Sequence, residues 1–336
     1  MINDPGMVLS RAAVALRFAA AAAAVAILAR YAATGARAQD PVPRVFITVS
    51  VDWEGMSLEE KNLLAMESLR RDYPRVPFTH FLNAAYYTKK GAVPATVTAQ
   101  VRRTVKPGDE MGLHVHPWRT LVEAAGVPFR AEPTFWQKGA KATEFPDGDA
   151  GHDVELPAYT VDELRKIVRE SKRVLAENGF ALGTSFRAGG WLADAKVLEA
   201  IRAEGFLVDS SAVDASWHER LEGLPIRDRI RETWPKTTPT STPETIETKA
   251  GAVLEMPNTA ALADYVTARQ MIENVEQALE LARRDPLRPR FVHVGFHQET
   301  AAEFSPRVVA ALTAIAQNPE VRFVTLAAAA EEAAKL

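Results

Sequence analysis

Two imidazoles, His114 and His116, stand two residues apart in Gly112-Leu113-His114-Val115-His116-Pro117. On a β-strand, side chains at this spacing leave from one face, so both rings could grip a single metal ion. A hydrogen-bonded pair on a solvated strand edge would read the same. Asp52-Trp53-Glu54 sets two carboxylates at the same separation. Neighbouring carboxylates can divide roles, one holding a metal and the other taking a proton from water. A helix cap or a solvated turn is the plainer reading of that pair. Phe291 through His297 carries two further histidines. His293 lies inside an apolar run, where a satisfied core residue is expected; His297 stands at its mouth, where a general acid fits. Arg187 and Asp209 end two more short runs. His80 reads as structural, and His152 and His218, in irregular segments, read as solvated. The chain has no Cys, so thiolate sites, Cys nucleophiles and disulfide frameworks are excluded.

These residues need elements to hold them. Val45 to Val51 is a β-branched and aromatic run that predicts a buried strand ending at Asp52. Ser57 and Glu60 have capping-box spacing ahead of a helical pattern. Phe78 to Leu82 and Glu110 to His116 predict two more strands, with a helix starting at Pro94 between them. Residues 118–159 have no clear period and contain Pro128, Pro133, Pro146 and Pro157. A long irregular excursion within a domain is more often a functional rim than a linker. Thr160 and Glu163 form a second capping box, and Asn178-Gly179 stops that helix. A strand ends at Ser185-Phe186-Arg187, Asp194 caps a helix, and Phe206 to Val208 runs into Asp209. Residues 219–250 read as a polar surface excursion. Val253-Leu254, the helix 267–284, the strand Phe291 to Phe296, the helix 305–316, the strand 321–324 and a terminal Ala/Glu helix complete the order. Strands alternating with helices, without a hairpin signal, imply parallel strands with helical crossovers, in either an α/β barrel or an open doubly wound sheet. In such folds ligands gather at the carboxyl ends of strands, where Asp52, Glu54, His114, His116, Arg187, Asp209 and His297 all fall.

Composition narrows the class. The 336 residues are 47% hydrophobic and 25% charged, as expected for a packed globular chain. The net charge of −3 lacks the basic signature of a nucleic-acid binder. Residues 1–38 differ from the rest: Arg11 and Arg17 precede the twelve-residue apolar run Phe18 to Ala29, and Ala36-Arg37-Ala38 has the small residues of a cleavage site. This reads as an export signal, and the run falls short of the ~20 residues that span a bilayer. A retained anchor is the alternative. Removing residues 1–38 leaves 36 Lys and Arg against 42 Asp and Glu, a net of −6. The expectation is a mature domain over 39–336, periplasmic or secreted, with no stable membrane insertion.

Taken in order, Ser50-Val51-Asp52-Trp53-Glu54-Gly55, Asp109 through Pro117, Ser185-Phe186-Arg187-Ala188-Gly189-Gly190-Trp191, Gly205 through Ser211 and Phe291 through His297 resemble the polysaccharide deacetylase (NodB-homology, carbohydrate esterase family 4-like) family. The resemblance covers about residues 44–325. It differs from the usual pattern in two spacings: one residue rather than three separates the histidines, and Asp-Trp-Glu stands for Asp-Asp. The resemblance implies an α/β fold, a distorted (β/α)7-type barrel, and metal-dependent hydrolysis of N- or O-acetyl groups on sugar polymers. It implies Asp52 as catalytic base, Glu54, His114 and His116 as ligands of a divalent ion (zinc, with cobalt, nickel or manganese as alternatives), and Arg187 as the group orienting the base. By the same carry-over, Asp209 tunes the acid–base machinery and His297 is the general acid. Trp191 and Trp53 are the rings expected against the sugar. The function expected is an exported deacetylase of a cell-envelope or extracellular polysaccharide, with no nucleic-acid partner. A small-molecule amidohydrolase on the same fold and a non-catalytic glycan-binding protein are the alternatives, and a complete set of acid, base and ligand types favours catalysis.

Overall fold

Along β1 (Val45–Asp52), Val45, Ile47, Val49 and Val51 alternate with Phe46, Thr48, Ser50 and Asp52, and all eight positions are buried. A strand covered on both faces belongs at the centre of a parallel sheet. Burying each aliphatic side chain contributes about 1.5–3 kcal/mol, which makes this strand the natural axis of the fold. The computed structural model describes residues 44–217 and 221–336; residues 43–336 group into one compact unit. The export signal expected over residues 1–38 lies outside the described residues, as does His218. No described helix is long and apolar enough to cross a membrane.

Eight further strands follow: β2 (Phe78–Leu82), β3 (Glu110–Val115), β4 (Ser185–Ala188), β5 (Val208–Asp209), β6 (Glu244–Thr248), β7 (Gly251–Glu255), β8 (Arg290–His297) and β9 (Val321–Phe323). Their spatial order is β6-β7-β5-β4-β3-β2-β1-β8, with β9 beside the first half of β1. Every pairing is parallel except β6 with β7. Seven parallel strands, β7 through β8, therefore form the curled wall of the expected distorted barrel. Between its edge strands the seam is irregular chain: Met256 N donates to Asp209 O and Ala260 N to His293 O, and Leu262 bridges Gly295. At one end the interior is filled by Phe46, Phe81, Val208 and Met256, against Leu326, Ala329 and Ala330 of the last helix (Leu326–Ala333).

Several expectations need correction. The Ser57/Glu60 box does not form: the helix is Glu60–Asp72, preceded by Glu59 in an extended conformation. Glu299 holds the preceding loop instead, accepting from Glu54 N and Met56 N. The Thr160/Glu163 box does form, ahead of Val161–Glu177, and so does the Asp194 cap. Residues 219–250 are not simply excursion, since Pro225–Thr233 is helical and β6 pairs with β7 as an antiparallel hairpin. That hairpin escaped notice because Thr and Glu dominate β6, whose strand is mostly exposed. Residues 118–159 hold one short α-helix, Arg119–Ala124, one 3-10 turn, Leu156–Ala158, and two isolated antiparallel bridges, Thr134 to Val154 and Glu144 to Ala150.

Candidate active site

Alternation along β1 sends Ser50 and Asp52 into the barrel, and Glu54 follows on the same side just beyond the strand. Register then fixes their neighbours: Asp52 pairs with His297 of β8, and His114 of β3 with Arg187 of β4. Glu54 is the hub. Its Oε1 lies 3.1 Å from His114 Nε2 and 3.3 Å from His297 Nε2. Its Oε2 lies 2.8 Å from His116 Nε2 and 2.6 Å from His152 Nε2. Burial would raise the Glu54 carboxyl, but the charges of His116 and His297 and the close approach of His114 outweigh it and hold the group well below the usual range.

Each ligand-type histidine is oriented by a backbone carbonyl. His114 Nδ1 donates to Arg187 O at 2.9 Å, and His116 Nδ1 donates to His152 O at 2.5 Å. Fixing Nδ1–H turns both Nε2 atoms toward the centre, where, once deprotonated, each could offer its lone pair to a metal ion. The His116 ring is packed so closely against Gly189 that a Cβ there would lie 2.6 Å from its Cε1 and Nδ1. Only glycine fits beside that ring.

On one side of the centre, Arg187 Nη1 donates to Asp52 Oδ1 at 2.7 Å. The guanidinium is fully buried. It also donates to Ser50 Oγ, Ser210 O and Ser210 Oγ, reaches the His293 ring at 2.9 Å, and sits 4.3 Å from the centroid of the Phe81 ring. Burial and the Arg187 charge push His293 well below its ordinary value, so it is the neutral acceptor that such a cation needs. On the other side, His297 Nδ1 lies 3.1 Å from Asp264 Oδ1. Asp264 also accepts from His297 N at 3.2 Å and from the hydroxyl of Thr300. Burial opposes the imidazolium, yet the charges of Asp264 and Glu54 raise His297 to about 10.

Asp52, Glu54, His114, His116 and His297 line one small cavity with a volume of about 30 Å³. Its apolar walls include Phe135, Trp136, Trp191 and Tyr265. Trp191 therefore stands where a substrate ring could meet it, edge-on to Tyr265 with centroids 5.3 Å apart. Trp53 does not. Strand alternation turns it away from Asp52 and Glu54 into the fully buried layer behind the sheet, where Nε1 donates to His80 Nδ1 at 3.3 Å. Asp209 is buried in the barrel but is not on the cavity wall. It faces Glu255 across the β5–β7 ladder and accepts from Ser211 Oγ at 2.7 Å. Burial raises both Asp209 and Glu255, and the Asp209 charge raises Glu255 further, so the two carboxyls share a proton.

The sequence reading missed three polar members of the site. His152, read as solvated, is brought into it by the excursion 118–159; its segment lacks periodicity, so nothing but its residue type could have marked it. Asp264 stands alone in the otherwise apolar Ala260–Ala263 run and Tyr265, a weak signal of a partnered buried acid. Glu299 follows His297 by two residues. Burial and the Glu54 charge raise it to about 7, while it anchors the Glu54–Met56 loop.

The sequence matches no family profile and no curated protein. Solved structures do match. A candidate polysaccharide deacetylase from Mycobacterium smegmatis superposes with a TM-score of 0.55 at 13% identity, over 89% of this chain and 93% of that one. The allantoinase PuuE superposes with a TM-score of 0.50 at 11% identity, over 86% and 90%. The chain has the deacetylase-type distorted (β/α) barrel fold. At such identity the likeness establishes the fold alone.

Whether the residues suit a divalent ion is a question of donors. The three-ligand groups Glu54, His116, His152 and Asp52, Glu54, His114 each bring their ligand atoms within 4.8 Å of one another. His116 Nε2 is fully buried and, among the described residues, has no hydrogen-bond partner in line despite its closeness to Glu54 Oε2. An orphaned imidazole nitrogen beside a carboxylate is a donor awaiting a cation, and a mixed nitrogen and oxygen set suits zinc and its first-row neighbours. The residues fit.

Proposed function

We propose that this protein is a metal-dependent hydrolase that removes acetyl groups, linked through nitrogen or oxygen, from a carbohydrate. The supporting observation is that an Asp52–Arg187 pair and a His297–Asp264 pair adjoin the Glu54, His114 and His116 donors around one cavity. A divalent ion held by those donors would supply electrophilic polarisation of the acetyl carbonyl and of a water molecule. Arg187 occupies Asp52 Oδ1 and leaves the other carboxylate oxygen to take a proton from the attacking water. The new C–O bond forms at the carbonyl carbon as that proton leaves. Asp264 fixes His297 Nδ1, so Nε2 faces the cavity and can hand its proton to the departing amine nitrogen or alcohol oxygen as the C–N or C–O bond breaks. Acetic acid, which ionises to acetate by giving its proton to solvent, and the free amine or alcohol result, with Asp52 protonated and His297 neutral until the Asp52 proton is returned to His297 through solvent.

The export signal that the sequence leads one to expect over residues 1–38 favours an envelope or extracellular polymer as substrate. Cavity size favours a second reading, a small amide or an end group. Roofed by Phe135 and Trp136, the enclosed space is about 30 Å³, far below the ~300–1,000 Å³ typical of small-molecule sites, so a stretch of polymer has less room there than a small acyl group. Acetate release should be measured on acetylated chito- and xylo-oligosaccharides of increasing length, and ammonia release on small amides, all with added zinc. Turnover that rises with chain length supports the polymer; turnover confined to small amides supports the second reading; none of either, with metal bound, overturns the hydrolase.

A further inference from the structure

We propose that His152 is itself a ligand of the metal, so that the ion fastens the 118–159 excursion over the site; this rests on the metal-hydrolase reading above. His152 Nε2 is 2.6 Å from the Glu54 oxygen that His116 Nε2 approaches to 2.8 Å. The two rings stack with centroids 4.3 Å apart and 15° between planes, presenting both Nε2 atoms to one point. Residue 152 thus acts twice: its carbonyl sets the His116 tautomer, and its ring joins the donor set.

Its placement is costly for a residue with no role. Gly151 adopts φ +108, and a Cβ there would lie 2.4 Å from Pro117 O, so the chain is drawn tightly across the end of β3 to deliver His152. Other ties hold the base of the excursion: Trp118 Nε1 donates to Glu54 O at 2.8 Å, Thr120 Oγ1 to Asp149 Oδ2 at 2.7 Å, and Lys89 Nζ to Asp147 at 2.6 Å. At its far end stand Phe135 and Trp136, the roof of the cavity. A ligand supplied by the roof makes metal binding and roof closure one equilibrium, because free energy gained at the ion is gained only in the closed state. The substrate pocket is then assembled together with the metal centre.

The test uses the full chain with Zn²⁺ as probe, comparing wild type, His152→Ala, His152→Gln and His116→Ala. Zinc affinity is read by competition with a chromogenic chelator, and closure by amide hydrogen exchange over residues 128–156 with and without zinc. Residues that only orient a ligand cost about 10–100-fold in affinity when mutated, so loss of a ligand should exceed ~100-fold in both His152 variants. Zinc should slow exchange over 128–156 in wild type and not in those variants; Gln preserves side-chain size should Ala disturb folding. Wild-type affinity in His152→Gln, or zinc leaving exchange over 128–156 unchanged in wild type, overturns the inference. If His116→Ala alone loses zinc, the metal site stands and only the role of His152 falls. If wild type binds none, the metal-hydrolase reading fails with it.

Discussion

Replacing Asp52 separates the two roles its position allows. Its carboxylate is 2% exposed, receives Arg187 Nη1 at 2.7 Å, and also lies within ligand distance of Glu54 and His114. As the base, Asp52→Asn should keep the metal, because Glu54, His114 and His116 remain, and should lower kcat by about 10²–10⁴, the usual worth of a positioned proton acceptor. The fold should survive. Arg187 keeps Ser50 Oγ, Ser210 O, Ser210 Oγ and His293, and an Asn Oδ1 can still accept from Nη1. What is lost is the charge on one bond, worth about 1.5–3 kcal/mol for a hydrogen bond to a charged group. Asp52→Ala removes the partner altogether and should cost about 3–5 kcal/mol, as expected when one member of a buried ion pair is deleted. At ~2–4 °C per kcal/mol for a large domain, Tm should fall by about 6–20 °C in the Ala variant and by less in the Asn variant. Metal content, thermal unfolding and acetate release on the same preparations read all three. Loss of metal in Asp52→Asn would make Asp52 a ligand, and undiminished kcat would remove it as the base; either result refutes the assignment.

Three further outcomes follow from the same contacts. His297→Gln should retain metal and lower kcat by about 10²–10⁴, with the smallest loss on esters having good leaving groups, since those need least protonation; a uniform loss across leaving groups would argue against a general acid. In Glu255→Gln the pH dependence of stability should flatten: burial and the Asp209 charge hold Glu255 protonated, so the folded chain keeps a proton the unfolded chain has released. Wild type should therefore lose stability as pH rises from the unfolded carboxyl value of ~4.3 toward the raised folded one, and equal slopes in denaturation from pH 5 to 8 would sink the shared-proton pair. Asp109 receives Arg70 Nη2 at 2.8 Å and the amides of Phe78 and Lys106. Asp109→Asn should cost about 3–5 kcal/mol in urea denaturation at pH 7 by stranding the buried Arg70. Burial opposes ionisation of Asp109, but His80 and those amides hold its carboxyl below the ordinary value. Its stabilisation is thus lost as pH falls through the folded value, and the gap to Asp109→Asn should close as pH falls below the unfolded aspartate value of ~3.9; a constant gap would show that the charge is not the cause.

The order of strands and helices was legible because each parallel strand here is a short apolar run closed by a polar residue, and each crossover helix carries its own period or cap. Asp52, Glu54, His114, His116, Arg187 and His297 were legible for the same reason: strand alternation and strand ends place them before any long-range contact is known. Local pattern misled where both faces of one strand are buried but only one faces the site, and Trp53, flanked by two site carboxylates, goes to the core behind them. It also misled at Asp209, whose partner Glu255 is 46 residues away in sequence and adjacent only through the β5–β7 register. His152 and Asp264 reach the centre from segments without periodicity, and no local rule specifies where such chain will pass. Sequence by itself determined a parallel α/β architecture, which the family resemblance narrowed to a barrel, and set the strand-borne half of the candidate site at strand ends, because period-two geometry is a property of neighbouring residues. Tertiary structure alone decided which loop residues close on Glu54 and which carboxylate pairs with His297, because those contacts are fixed by packing between segments far apart in the chain.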